Sequence, residues 1–104
     1  MDDLKFEWNV DKSVSNIQKH GVSFDEAKTV FTDEYARLIS DPDHSQDEDC
    51  FLLFAFCFLL LGTSIESNLL VVCHFVREAE SIRIISARKA GKQERKIYED
   101  FRYA

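Results

Sequence analysis

Apolar positions recur at helical spacing in the first third of the chain and at its C-terminal end, and run together or alternate between them. After a short apolar opening at Lys5 to Trp8, Val10, Val14 and Ile17 fall on one helical face. Asn9 is placed to cap that helix and Gly21 to end it. The spacing predicts a helix that buries Val10, Val14 and Ile17. Ser23-Phe24-Asp25-Glu26 reads as a capping box, in which the serine oxygen takes the Glu26 N–H and the Glu26 carboxylate reaches back to Ser23. The second helix then buries Phe24, Ala27, Val30 and Phe31 and ends near Asp33. Tyr35 to Ser40 reads as a strand, stopped by Asp41-Pro42 because proline cannot continue a ladder.

Cys50 to Leu61 is an unbroken apolar run, too short for the ~20 residues of a membrane-spanning helix. Within it Cys50-Phe51-Leu52-Leu53 recurs as Cys57-Phe58-Leu59-Leu60, a short tandem duplication. Its odd spacing turns the two copies to opposite faces of a regular strand. Ser64 to Asn68 supplies a polar turn, and Leu69 to Phe75 is the next strand. Leu70, Val72, His74 and Val76 share one of its faces, and His74 among apolar neighbours reads as a core histidine. Ser81 to Phe101 runs from a β-branched strand through a basic turn into a helix with the stripe Glu94, Ile97, Tyr98, Phe101. Two helices, strands in series with short turns and a last helix predict an α+β fold. We expect an antiparallel β-sheet with two N-terminal helices and one C-terminal helix packed on it.

A chain of 104 residues supports one domain, residues 1–104, and 45% hydrophobic with 31% charged residues is a globular composition. Met1 is followed at once by Asp2 and Asp3, so no secretory leader is expected and the cytoplasm is the expected compartment. Net charge is −6, but it is polarised. Residues 77–102 hold eight Arg or Lys against five acids, +3, and residues 1–76 hold five against fourteen, −9. The basic end leaves room for an anionic ligand in a chain that is acidic overall. The acidic turn around His44 lacks calcium-loop spacing and reads as a solvated loop. Cys50, Cys57 and Cys73 lack CxxC spacing and sit in apolar runs, so we expect small buried hydrophobes, with no disulfide and no metal.

Candidate chemistry centres on Arg83, inside the last strand, and Arg88, at its end. A planar guanidinium matches phosphate oxygens bidentately and keeps its charge. In an ideal strand these two arginines point to opposite faces, so only a bulge would let both serve one phosphate. The plainer alternative is an edge arginine that deters aggregation beside a helix with a solvated basic face. Lys19 and His20 suit the negative end of the helix dipole, and the His20 imidazole can also exchange a proton.

FEWNVDK (Phe6 to Lys12), KHGVSFDEA (Lys19 to Ala27), Asp41-Pro42, FLLLG (Phe58 to Gly62), IRIISARKA (Ile82 to Ala90) and the set Glu94, Arg95, Tyr98 together resemble the BrnT toxin family over nearly the whole chain. The resemblance implies a ribonuclease toxin of a bacterial type II toxin–antitoxin pair with a RelE-like fold. It also implies a ribbon-helix-helix antitoxin that neutralises the toxin and with it represses their operon, so that operator DNA is reached only through the antitoxin. We expect metal-independent, cofactor-free cleavage of an RNA substrate. Arg88 and Arg83 would hold the phosphate, with His20 as acid or base, Lys19 as electrostatic support, and Tyr98 stacking on a base or donating a hydrogen bond. Lys89, Lys92 and Arg95 are expected along the RNA. The family usually places an arginine before its F-hydrophobic-G strand, where this chain has Cys50 or Cys57. That departure keeps open a second reading, a BrnT-like binding module without catalysis that acts only as partner of a DNA-binding antitoxin.

Overall fold

The structure, a computed structural model, describes residues 4–39, 57–77 and 81–103. Strands β1 (Lys5–Glu7), β2 (Arg37–Ile39), β3 (Cys57–Thr63), β4 (Leu69–Arg77) and β5 (Ser81–Lys89) form one sheet in the order β1-β5-β4-β3-β2. Helix α1 (Val10–His20) and helix α2 (Phe24–Ala27) precede β2, and α2 tightens into a 3₁₀ turn over Lys28–Thr32. Helix α3 (Lys92–Arg102) follows β5. The expected α+β layout is present, with β2 through β5 antiparallel. One neighbour differs: β1 pairs parallel to β5, so the sheet is mixed. The return from β1 to β5 spans the rest of the fold, which hairpin turns cannot supply. Cys50 to Phe56, the first copy of the duplication, and the turn around His44 lie outside the described residues.

One face of the sheet packs on α1 and α2 through Val22, Phe24, Ala27, Val30, Leu70, Val72, Ile84 and Ala87. Gly62 of β3 lies so close beneath the 3₁₀ turn that a Cβ there would meet Val30 and Ala36 at 2.8 Å each. The other face carries Leu61, Leu69 and Val71 beneath Tyr98 of α3, with Cys73 and Ile85 buried beside Leu59 and Phe75.

Several expectations need correction. Val10, Val14 and Ile17 do not enter the core; they are 71%, 52% and 47% exposed. What α1 buries is Asn16, whose carboxamide donates to the carbonyls of Val22 (2.9 Å) and Ala87 (2.8 Å) and accepts the Ala87 N–H (3.1 Å). β1 pairs with β5 only from Ser81 to Arg83, which leaves the edge at Ala87 without a strand. The Asn16 amide fills that place as a peptide group would, and this fixes the side of α1 that faces the sheet. Half of the capping box also fails. Ser23 Oγ accepts from Glu26 N–H at 3.0 Å, but the Glu26 carboxylate accepts from Ser64 Oγ (2.6 Å) and Asn68 Nδ2 (2.8 Å), clamping the β3–β4 turn to α2. Cys73 is disulfide-bonded, against the expectation of no disulfide.

His74 is a core histidine as expected. It lies edge-on to Phe31 at 4.8 Å, with Nδ1 3.3 Å from the Val72 carbonyl. Burial holds its pKa below the ordinary value, only partly offset by that carbonyl.

Candidate active site

The strand that carries the candidate arginines is irregular where it matters. In the β4–β5 ladder Cys73 faces Ser86 and His74 faces Ile84, so Ile85 has no partner. An extra residue in one strand is a β-bulge, and it shifts side-chain alternation by one. Arg83 lies opposite Phe75 and Arg88 opposite Val71, and both partners belong to the face that α3 covers. The two arginines therefore share that face. Arg37, opposite Leu61, stands on it too, and so does Arg77, two residues along β4 from Phe75. Every arginine borne by a strand is on this side.

Arg88 is the next-to-last residue of β5, just before the turn into α3. Its Nη1 and Nη2 donate to Glu94 Oε1 and Oε2 at 2.8 and 2.7 Å, a bidentate pair, and Nη1 also approaches the Lys89 carbonyl at 3.3 Å. Glu94 Oε1 accepts the Gly91 N–H at 2.8 Å as well. One carboxylate thus caps α3 and aligns the guanidinium. The hydrogen bonds from Arg88 hold the Glu94 carboxyl below its ordinary range against the opposing effect of burial, with a smaller contribution from Gly91. Arg83 is half-buried beside Glu7 of β1 and has no hydrogen bond or ion pair among the described residues. Glu7 is engaged by Arg77 Nη1 at 2.8 Å.

Lys19 and His20 occupy the last turn of α1, which Gly21 ends at φ 70°, with its N–H on the Ile17 carbonyl at 2.8 Å. Both side chains are exposed. His20 follows Asn16 by one helical turn, and Asn16 is bonded to Ala87, the neighbour of Arg88. The Lys19–His20 end of α1 is thereby tied to the end of β5 that bears Arg88, across the sheet edge. Lys89 continues β5 there, Lys92 opens α3, and Arg95 lies one turn on, all exposed.

Tyr98 is elsewhere and is engaged. It is buried over β3 at the far end of α3, donating to Asp33 Oδ2 at 2.6 Å, with Thr63 Oγ1 at 3.1 Å and Arg102 Nη1 at 3.4 Å from its oxygen. Burial first, then the Asp33 carboxylate, push its phenol pKa up. Asp33 also accepts the N–H groups of Thr63 (2.8 Å) and Tyr35 (2.9 Å). Burial raises its pKa, but the Thr63, Tyr98 and Tyr35 hydrogen bonds outweigh this and leave it below the ordinary range. Tyr98 is therefore a fixed part of the packing beneath α3, not the free stacking or donating group expected. Sequence reasoning missed Glu94 as the partner of Arg88, although its place three residues after Gly91 is a capping signal. It also missed Asp33, for which no local pattern exists. Among the described residues no group of three or more His, Cys, Asp or Glu is placed to hold a metal ion.

Strand order and covering helices define an α+β fold of the RelE-like class. The family model described as "Ribonuclease toxin, BrnT, of type II toxin-antitoxin system" matches residues 8–94, and the chain belongs to that family. Its structure is similar to the crystal structure of the ribonuclease toxin BrnT of Brucella abortus. The TM-score is 0.62 at 20% sequence identity, covering 86% of this chain and all of the other. No curated protein sequence matches the chain.

Proposed function

We propose that this protein is an endoribonuclease toxin whose active face is the α3 side of the sheet, and that it cleaves RNA without a metal. The observation that carries this reading is the bulge at Ile85, which brings Arg83 and Arg88 onto one face. Four strand steps apart, their Cα atoms are separated by about 13 Å, a gap that two long arginine side chains can close on one strand of RNA. The ribose 2′-oxygen attacks the adjacent phosphorus and the bond to the 5′-oxygen breaks, leaving a 2′,3′-cyclic phosphate and a 5′-hydroxyl. Arg88, oriented by Glu94, and Arg83 stabilise the charge that builds on the non-bridging oxygens. His20 at the β5 edge takes the 2′-hydroxyl proton or returns one to the leaving oxygen, with Lys19 beside it as a further positive charge. Lys89, Lys92 and Arg95 contact neighbouring phosphates.

The partner is a ribbon-helix-helix antitoxin that neutralises the toxin and carries the pair to operator DNA. This rests on membership of a type II toxin–antitoxin family. Induction of the protein alone should arrest growth, and co-expression of the antitoxin should restore it. RNA ends carrying 2′,3′-cyclic phosphate should accumulate during arrest.

A second reading is supported by one observation. Where the family usually places an arginine before its F-hydrophobic-G strand, this chain has Cys50 or Cys57. Growth unaffected by induction, together with retained antitoxin binding, would favour that binding module.

A further inference from the structure

All three tyrosines of the chain surround one guanidinium. Arg102, at the C-terminal end of α3, lies 5.0 Å from the ring centroid of Tyr35, 5.4 Å from that of Tyr103 and 6.0 Å from that of Tyr98. Next to it Arg37 stacks 4.6 Å over the ring of Phe101. Apart from Tyr98, which is buried, these groups are not core. Tyr103 is 73% exposed and Tyr35 37%, and Arg37 and Arg102 are exposed as well. The base beneath them is rigid, because Asp33 bonds Tyr98 Oη, the Tyr35 N–H and the Thr63 N–H together. A fixed platform therefore holds a cation among aromatic faces at the surface.

We propose that Tyr35, Arg102 and Tyr103 form a nucleobase-binding subsite for single-stranded RNA, separate from the phosphate site at Arg88; this rests on the ribonuclease reading above. Aromatic faces and guanidinium planes are the surfaces on which unpaired bases stack, and stacking tolerates any base. The guanidinium also supplies charge for the phosphate attached to the base it holds. Position supports the assignment. Glu94, which grips Arg88, and Arg102 are eight residues apart on α3, so the two sites are about 12 Å apart along the helix axis. At about 3.4 Å per stacked nucleotide that spans roughly three nucleotides. A strand with its reacting phosphate at Arg88 would place a base two to four nucleotides away on the tyrosines. Arginine and tyrosine also recur at protein interfaces, so docking of a protein on this cluster is the outcome to be told apart.

The probe is a fluorescent 2′-O-methyl oligoribonucleotide, which lacks the attacking hydroxyl and reports binding without cleavage. A matched set carries one abasic nucleotide at each position in turn. The parental protein should lose about five- to hundredfold in affinity when one particular base is missing. Tyr103→Ala and Tyr35→Ala should bind the intact strand more weakly by a similar factor and be indifferent to that missing base, while Tyr103→Phe should behave as the parent. The proposal is overturned if the parent shows no such position, or does not bind the strand. It is also overturned if the alanine variants stay sensitive to the missing base, or if they lose only antitoxin binding. Parental protein that binds as described yet leaves unmodified RNA intact would sink the ribonuclease reading and leave the subsite standing.

Discussion

Arg83 and Arg88 stand on the same face of the sheet although they are five positions apart, because Ile85 between them has no partner in β4. Without the bulge, one of the two would project toward the α1 and α2 side, where Ile84 and Ala87 pack. The bulge is thus the local feature on which a two-arginine phosphate site depends. Inserting one residue between Cys73 and His74 of β4 would give Ile85 a partner, restore regular alternation over the five positions from Arg83 to Arg88, and separate the pair. Turnover should fall by the ~100-fold typical of losing one charge-stabilising donor, and Arg83→Ala should lose a similar factor.

Glu94 is predicted to orient Arg88 as well as to cap α3. Glutamine at the third helical position can still accept the Gly91 N–H, so Glu94→Gln should melt within a few degrees of the parent. It cannot offer two charged oxygens to the guanidinium, and kcat should drop about tenfold or more. The same pair predicts acid sensitivity. The folded carboxyl titrates below its ordinary 4.5, so its stabilisation is full above that value and is lost as pH falls through the lowered pKa. Urea midpoints of parent and Glu94→Gln should converge in acid.

Asn16→Leu is predicted to be among the most damaging conservative-sized changes. It leaves the Val22 carbonyl and both polar groups of Ala87 without their side-chain partner. A loss of about 3 kcal/mol follows from leaving buried groups unpaired, a fall in melting temperature on the order of 10 °C or more. Thermal unfolding followed by circular dichroism measures it.

His74 gives a pH signature of opposite origin to Glu94. Burial lowers its folded pKa, so as pH falls below the ordinary 6.5 the unfolded chain takes up the proton first and stability declines. His74→Phe keeps an aromatic ring against Phe31 and removes the titration. Its urea midpoint should change less than that of the parent between pH about 8 and about 5.5.

Gly62→Ala should destabilise by about 1–3 kcal/mol, because the added methyl meets Val30 and Ala36 at 2.8 Å with side chains already packed. Differential scanning calorimetry gives the difference directly.

Periodicity and turn chemistry were enough to read most of the fold. Asn9, Ser23, Gly21 and the polar turn at Ser64 to Asn68 act as their local patterns require. What misled was the assumption that the apolar stripe of α1 faces inward. A single polar residue, Asn16, sets the orientation instead, because an unpaired strand edge at Ala87 needs hydrogen bonds more than the sheet needs Val14. Pairing of β1 with β5 was hidden for a related reason, since parallel contacts join distant segments and leave no turn signal. The strand that carries Arg88 was legible as an element, whereas Glu94 was seen only as part of a helical stripe. Tyr98 was misread because its partner, Asp33, lies sixty-five residues away. No window of sequence contains that contact.

The most direct test of the central claim is cleavage of a labelled single-stranded RNA by the purified protein in EDTA, with folded Arg88→Ala and Arg83→Ala proteins beside it. The account predicts cleavage by the parent to products ending in 2′,3′-cyclic phosphate, and a reduction of about 100-fold or more by Arg88→Ala. Cleavage by Arg88→Ala at the parental rate, or none by a folded parent, would contradict it.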